Sequence, residues 1–345
     1  MRYASIIVSF ATGALALASP VTAADAVSDF YAGKSVSIIV SSTPGGGYDA
    51  YARMIARHLS EHIPGKPQVV VQNMPGAGGL TAANHFYNIA PKDGLIIGML
   101  QNTVPFEPFY GNKQAQFEAT KYNWVGSPSM ETGVFLLWHT VPVNTLEEAK
   151  NRELLLGASG AASTPAFYAR VFQLVFDLKI KLIVGYASQT ESFLGMERGE
   201  NEGYSSPFWS SLKATKPDWI KDKQVKMLFQ YGAQPHPELK DIPFARDLTP
   251  DPEKKFIIDV ASASLAVGRP LLMTPGAPAD RVAAIRKALQ DTFKNPAYLA
   301  DCEKQRLECD TPLTGEELSA ILERTYSAPA SVRERMLDIY NAGGK

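Results

Sequence analysis

The sequence of 345 residues has little of several things that would narrow its function at once. It holds two cysteines, Cys302 and Cys309, too few for a disulfide-dense scaffold. With no histidine near them, they do not make a zinc site. In an oxidising compartment they could close a local bridge or stand as two separate thiols, because their spacing does not fix the Cβ geometry. An excess of charge of one sign is also missing. Thirty-four Lys and Arg stand against 35 Asp and Glu, a formal net charge of −1, which gives nucleic acid or an anionic membrane no hold. Past the N-terminus, no apolar run is long enough to span a bilayer. No phosphate-binding string G-x-x-x-x-G-K-[ST] follows the first strand-like run. "PGGGYDAY" lacks the last glycine of a dinucleotide fingerprint. What remains is an ordinary globular composition, 45% hydrophobic and 20% charged, on a chain long enough for two domains.

The N-terminus, "MRYASIIVSFATGALALASPVTAADA", carries Arg2, an apolar run from about Ile6 to Ala18, then small residues with cleavage sites after Ala23, Ala24 or Ala26. This is the pattern of a signal peptide over 1–24. The run is too short and too rich in Ala, Ser and Gly for a membrane anchor. The expected product is an exported, periplasmic chain.

After it, one pattern repeats: apolar strand, small-residue turn, helix. "VSIIVSS" leads through "TPGGG" into a helix from about Asp49 to His62, with Ala52, Ile55, Ala56, Leu59 and Ile63 on its buried face. "QVVVQN" leads through "MPGAGG" into a second helix, and "LLLGASGAAST" into a third. "LIIGML", "WVGSPS", "VFLLWHT", "IKLIVGY" and "VKMLFQYG" read as further strands, and the last third as a strand and three helices. Strands alternating with helices of this length point to parallel βαβ units and an α/β fold.

Three of the turns, 44–49, 75–79 and 157–163, open helices at strand ends. The first turn of a helix has N–H groups without internal partners and a partial positive charge. Glycine lets an anion reach them without a Cβ in the way. In an open α/β sheet such turns gather at the carboxyl edge, where ligands bind. A carboxylate is the most economical anion. Asp49, at the start of its helix, is expected to act as an N-cap.

Two strings raise enzymes. His58-Leu59-Ser60-Glu61-His62 matches H-x-x-E-H, but it lies at a helix C-terminal end, where the dipole favours positive charge. "GASGA" (157–161) falls one glycine short of a nucleophile elbow. An exported hydrolase or metal-dependent enzyme is therefore the alternative reading. No catalytic residue, metal or cofactor is expected.

"IIVSSTPGGGYDAYARMIARHL", "VVVQNMPGAGGLTAANHFYNIAPKDG" and "GASGAAS" resemble the Bug (TctC-like) family, periplasmic solute receptors of tripartite tricarboxylate transporters. The resemblance spans about 30–340. It implies a two-lobed, periplasmic-binding-protein-like clamshell with mainly parallel sheets, which closes on a small carboxylate and presents it to membrane permease subunits. It puts the carboxylate on the first two turns, which here include Gly46, Gly47 and Asp49 and then Gly76, Ala77, Gly78 and Gly79. The third turn resembles 157–163, with Ala162 where glycine is usual. Lobe 1 is expected at 28–125 plus 262–345, and lobe 2 at 126–261, with crossings near 126–132 and 232–262. A ligand-sensing receptor without transport would look the same.

Further candidates come from position alone. Tyr48 follows the glycines, and Gln101, Asn102 and Thr103 end the third strand. Ser159 and Ser163 offer hydroxyls. Tyr186, Ser188 and Gln189 follow one strand of lobe 2; Tyr204, Ser205 and Ser206 follow "GENEG". Arg269 is the one cation expected near the cleft, either bidentate to a second carboxylate or held in an inter-lobe ion pair. If Tyr48, Phe106, Tyr186, Tyr204, Phe208 and Trp209 line the cleft, the ligand has an apolar or aromatic body. A monomer is expected.

Overall fold

The computed structural model describes residues 23–342, apart from Gly46, Ser159, Ala161, Ala162, Ala187 and Ser188. The expected signal peptide thus lies almost wholly outside the described residues.

The chain opens with α1 (Ala23–Tyr31), β1 (Ser35–Val40), α2 (Gly47–Leu59), β2 (Gln68–Asn73), α3 (Leu80–Asn88), β3 (Ile96–Met99) and β4 (Asn123–Ser127). It then builds β5 (Gly133–Trp138), α4 (Leu146–Lys150), β6 (Glu153–Ala158), α5 (Thr164–Phe176), β7 (Lys179–Val184), α6 (Gln189–Glu197), β8 (Gly203–Tyr204), α7 (Trp209–Thr215), α8 (Pro217–Lys221) and β9 (Val225–Tyr231). The long helix α9 (Pro252–Val267) returns it to β10 (Leu271–Met273), α10 (Ala279–Lys294), α11 (Pro296–Gln305), β11 (Leu313–Thr314), α12 (Gly315–Tyr326) and α13 (Ala330–Asn341).

Two sheets result, one per lobe, in the orders β11-β4-β10-β3-β1-β2 and β7-β6-β8-β5-β9. They are mixed, not mainly parallel. β1 pairs in parallel with β2 and β3, and β6 with β7 and β8. β10 and β11 enter lobe 1 antiparallel, and so does β5 against β8 and β9 in lobe 2. Two of these strands, β5 and β10, are the first that the chain makes after changing sheets, and the second change passes through the helix α9.

Both faces of each sheet are covered, which explains the unbroken apolar runs. In β1, Val36, Ile38 and Val40 pack with α2, α10 and α11, while Ile39 packs on the opposite side with α3. In β5, Phe135 and Leu137 pack with α5 and α9, while Val134 and Leu136 face the cluster of Phe193, Trp209 and Trp219. This is the two-residue alternation of a strand buried on both sides.

The crossings run through 128–132 and through 232–270. They touch closely: a Cβ at Gly268, where φ is 58°, would stand 1.8 Å from the Ser129 carbonyl oxygen. The Glu131 amide donates to the Leu265 carbonyl at 3.0 Å. α9 serves both lobes, with Ile257, Ile258 and Leu265 in the core of lobe 2 and Ala263 and Val267 in that of lobe 1. α13, which the sequence places with lobe 1, sends Val332, Met336 and Ile339 into the lobe 2 core.

Cys302 and Cys309 form a disulfide, with Cα atoms 6.4 Å apart. It closes a loop after α11. The Tyr51 hydroxyl donates into that loop, to the Glu308 carbonyl at 2.7 Å.

Candidate functional site

All three small-residue turns leave the carboxyl ends of strands and open helices: β1 into α2, β2 into α3 and β6 into α5. The second is the barest. Gly76, Ala77, Gly78 and Gly79 have φ of 138°, 46°, 65° and 102°, a run that side-chained residues resist. α3 then starts with no side chain capping it. A Cβ on Gly78 would meet nothing within 4 Å, whereas one on Gly79 would stand 2.8 Å from Val104. Packing thus demands glycine at 79, while 78 faces open space.

Neighbouring residues complete the lobe 1 face. Gly79 lies against Ser41, whose Oγ accepts from the Gln101 amide at 2.9 Å. The Tyr48 hydroxyl accepts from the Asn102 amide at 2.8 Å, and burial pushes its phenol up to about 12. Tyr48, Gln101 and Asn102 are half-buried, and Gly47 is exposed at the first residue of α2.

Asp49 is not the N-cap. It sits in the first turn of α2 and reaches back, accepting from the Gly45 amide at 2.9 Å. Arg53 grips it with two bonds of 2.9 Å, and Asn73 donates at 3.0 Å. The Arg53 bond, with the Gly45 and Asn73 donors, holds its carboxyl down at about 2. Asp49 shapes the first turn and offers a ligand no free oxygen.

On lobe 2, a cavity of about 460 Å³ is lined by Ser163, Thr164, Gln189, Tyr204, Ser206 and Phe208, among others. α5 starts there without a side-chain cap, since Ser163 turns its Oγ to the Gly160 carbonyl at 2.6 Å. Ser206 is 5% exposed and its Oγ has no partner. Ser205, by contrast, is fully buried and donates to the Pro165 carbonyl at 2.6 Å, so it supports the wall from behind. Tyr186 is not on that wall: its hydroxyl accepts from Asn201 at 3.1 Å and lies 3.4 Å from Glu200. Trp209 belongs to the core of lobe 2. Gly46, Ser159 and Ser188 lie outside the described residues.

Arg269 sits at the crossings in an ion pair. Its Nη1 lies 2.6 Å from Glu131 Oε1 and 3.0 Å from Ser129 Oγ. Its guanidinium stacks on Tyr51 at 4.0 Å from the ring centre. Glu131 also accepts from Ser210 of α7 at 2.9 Å. Of the two roles open to Arg269, the structure has the ion pair, because a buried guanidinium needs a fixed counter-charge.

The histidines of H-x-x-E-H have other partners. His58 lies 3.2 Å from Asp301, and His62 3.2 Å from Asn295. No group of three or more metal-ligating side chains occurs among the described residues.

The sequence reading missed Thr164, which stands on the wall of the lobe 2 cavity. Thr164-Pro165 carried a signal, since proline within the first helical turn marks a helix start.

No family model matches the chain. A "UPF0065 protein in gbd 5'region" from Cupriavidus necator is 23% identical over 257 residues, 70% of this chain and 72% of that protein. Protein BugT from Bordetella pertussis is 38% identical over 89 residues, which is 26% of this chain and 25% of BugT. Among solved structures, a TctC solute binding protein from Polaromonas has a TM-score of 0.71 at 19% identity, covering 88% of this chain and 97% of its own. Periplasmic binding protein BugD has 0.54 at 16%, covering 90% and 98%. MatC from Rhodopseudomonas palustris, with bound malate, has 0.54 at 16%, covering 89% and 99%. These structures are of solute-binding proteins. The two-lobed α/β fold is theirs, and with the local sequence matches it supports the Bug and TctC family of periplasmic binding proteins for this chain.

Proposed function

We propose that this chain is an extracytoplasmic solute receptor that binds a small carboxylate between its lobes and delivers it to the permease of a tripartite tricarboxylate transporter. One observation carries the reading. Two helix starts without side-chain caps, α3 in lobe 1 and α5 in lobe 2, stand at the strand ends of their sheets. Gly78 leaves open space beside the first. Such starts hold an anion through backbone N–H groups and the helix dipole, without a cationic side chain. That suits a site beside which the guanidinium groups of Arg53 and Arg269 are already paired, with Asp49 and Glu131. The malate in MatC makes carboxylates the first class to test. A receptor of this kind acts in the periplasm and closes about the crossings when loaded.

The test is a thermal-shift screen of the mature chain against mono-, di- and tricarboxylates. A ligand that binds only the folded state raises the midpoint by mass action. A selective rise with one class supports the reading. No rise with any acid, in protein whose denatured sample releases no bound acid to mass spectrometry, overturns it.

A further inference from the structure

The cleft has a side chamber. A second cavity, of about 210 Å³, shares Thr164 with the lobe 2 cavity and has Thr103 of lobe 1 on its wall. Both threonines are exposed, and Thr103 adjoins Gln101 and Asn102 of the lobe 1 face. Behind them the wall turns aromatic: Phe106 and Tyr110 from lobe 1, Phe167 and Tyr168 from α5, and Tyr340 from α13. Tyr110 and Tyr340 stack with centroids 4.7 Å apart and planes within 2°. Phe167 meets Tyr110 edge-on at 6.2 Å.

Two of the chamber's hydroxyls are occupied. The Tyr168 hydroxyl donates to the Ala261 carbonyl at 2.9 Å, and the Tyr340 hydroxyl to Glu107 at 3.2 Å. No lysine or arginine is on its wall, while the carboxylate of Glu107 is. A second anionic group entering here would meet a like charge in a half-dry site and find no counter-charge. A ring fits better. The volume exceeds the roughly 150 Å³ of an apolar cavity that takes up benzene, and aromatic walls favour stacked or edge-on partners.

We infer that the ligand is an aryl monocarboxylate, its single carboxylate at the helix starts and its ring in this chamber. The inference rests on the carboxylate reading above. It excludes linear dicarboxylates as the preferred cargo.

Isothermal titration of the mature protein with 3-phenylpropionate, benzoate, adipate and malate tests it. At least one aryl acid is expected to bind about tenfold or more tighter than either dicarboxylate, the scale of burying one ring. Ala261→Leu, which fills the chamber, is expected to lose that advantage. Tyr340→Ala, on the half-exposed C-terminal helix, removes one wall and is expected to weaken the aryl acid alone. Thermal melts of both variants establish that they fold. Tighter binding of adipate or malate overturns the aryl assignment and leaves the carboxylate reading standing. An aryl preference unchanged in both folded variants overturns the chamber as its seat. Binding of none of the four, in protein whose denatured sample releases no bound acid, overturns the aryl assignment, and the wider carboxylate screen then decides the reading on which it rests.

Discussion

Lys213 of α7 places its Nζ 3.0 Å from the carboxylate of Glu308, inside the loop that Cys302 and Cys309 close. Lobe 2 thus touches the disulfide loop of lobe 1 through one charge pair. Lys213 has a second partner, Glu238, at 2.6 Å. Burial pushes the Glu308 carboxyl above its ordinary 4.5, with Lys213 opposing the rise. A folded value above the unfolded one favours the folded state at low pH, and this contribution is lost as pH rises through the folded value. Because Lys213 keeps Glu238 as a partner, Glu308→Gln is expected to raise stability at neutral pH. It should also flatten the decline that sets in above the ordinary carboxylate range. Urea unfolding across that range measures both; a lower midpoint in the variant at pH 7 would reject the idea.

Glu131 and Arg269 behave in the opposite way. Their side chains are 3% and 17% exposed. Glu131→Gln leaves a buried guanidinium without its counter-charge, and the expected loss is about 3 kcal/mol. The double variant Glu131→Gln with Arg269→Met removes the stranded charge and should regain much of that loss. Denaturant midpoints decide the matter: if the single variant is as stable as the parent, the pair does not hold the crossings.

Gly78→Ala separates access from packing. The new methyl group has room, so the stability cost is the left-handed backbone alone, about 1–2 kcal/mol. Affinity for the bound acid should fall about tenfold or more, since the methyl stands where the anion approaches. Calorimetric titration beside a thermal melt tests this. Unchanged affinity would move the carboxylate away from this turn.

Acid should weaken the fold through two aspartates. Asp49, beside Arg53, and Asp301, beside Arg57 and His58, are both held at about 2 against an ordinary 3.8. Depressed folded values give stability that is complete above the ordinary value and is lost as pH falls toward the folded one. Unfolding curves taken between about pH 5 and pH 2 should show this loss, and Asp49→Asn should lessen its slope. Equal slopes in the variant and the parent would remove Asp49 from the account.

Much of lobe 1 was legible because its signals are local. Strand, bare turn and helix follow one another within β1–α2 and β2–α3, and the buried faces of 51–59 repeat at helical spacing. The small-residue turns pointed to the helix starts for the same reason. Strand direction was less legible. β10 and β11 are two or three residues long and pair with strands more than 140 residues away, so no local periodicity marks them. Polar candidates divided by what stands behind them. Ser205 and Ser206 are adjacent and chemically alike, yet alternation sends one to the Pro165 carbonyl and the other to the cavity wall. Sequence named both and could not rank them. Arg269 was ambiguous because its partner, Glu131, lies 138 residues away.

The last helix alters how the molecule can bend. A clamshell joined only by two adjacent strands could twist as well as shut. Here α13 runs from the end of α12 in lobe 1 to pack on α5 and α9, and its Tyr340 is stacked on Tyr110. This third tie lies against the helix of the second crossing, and it resists twisting while leaving a single swing. Its far end is fastened by a pair of flat rings, which can slide over one another at little cost, so the swing has a bearing as well as an axis.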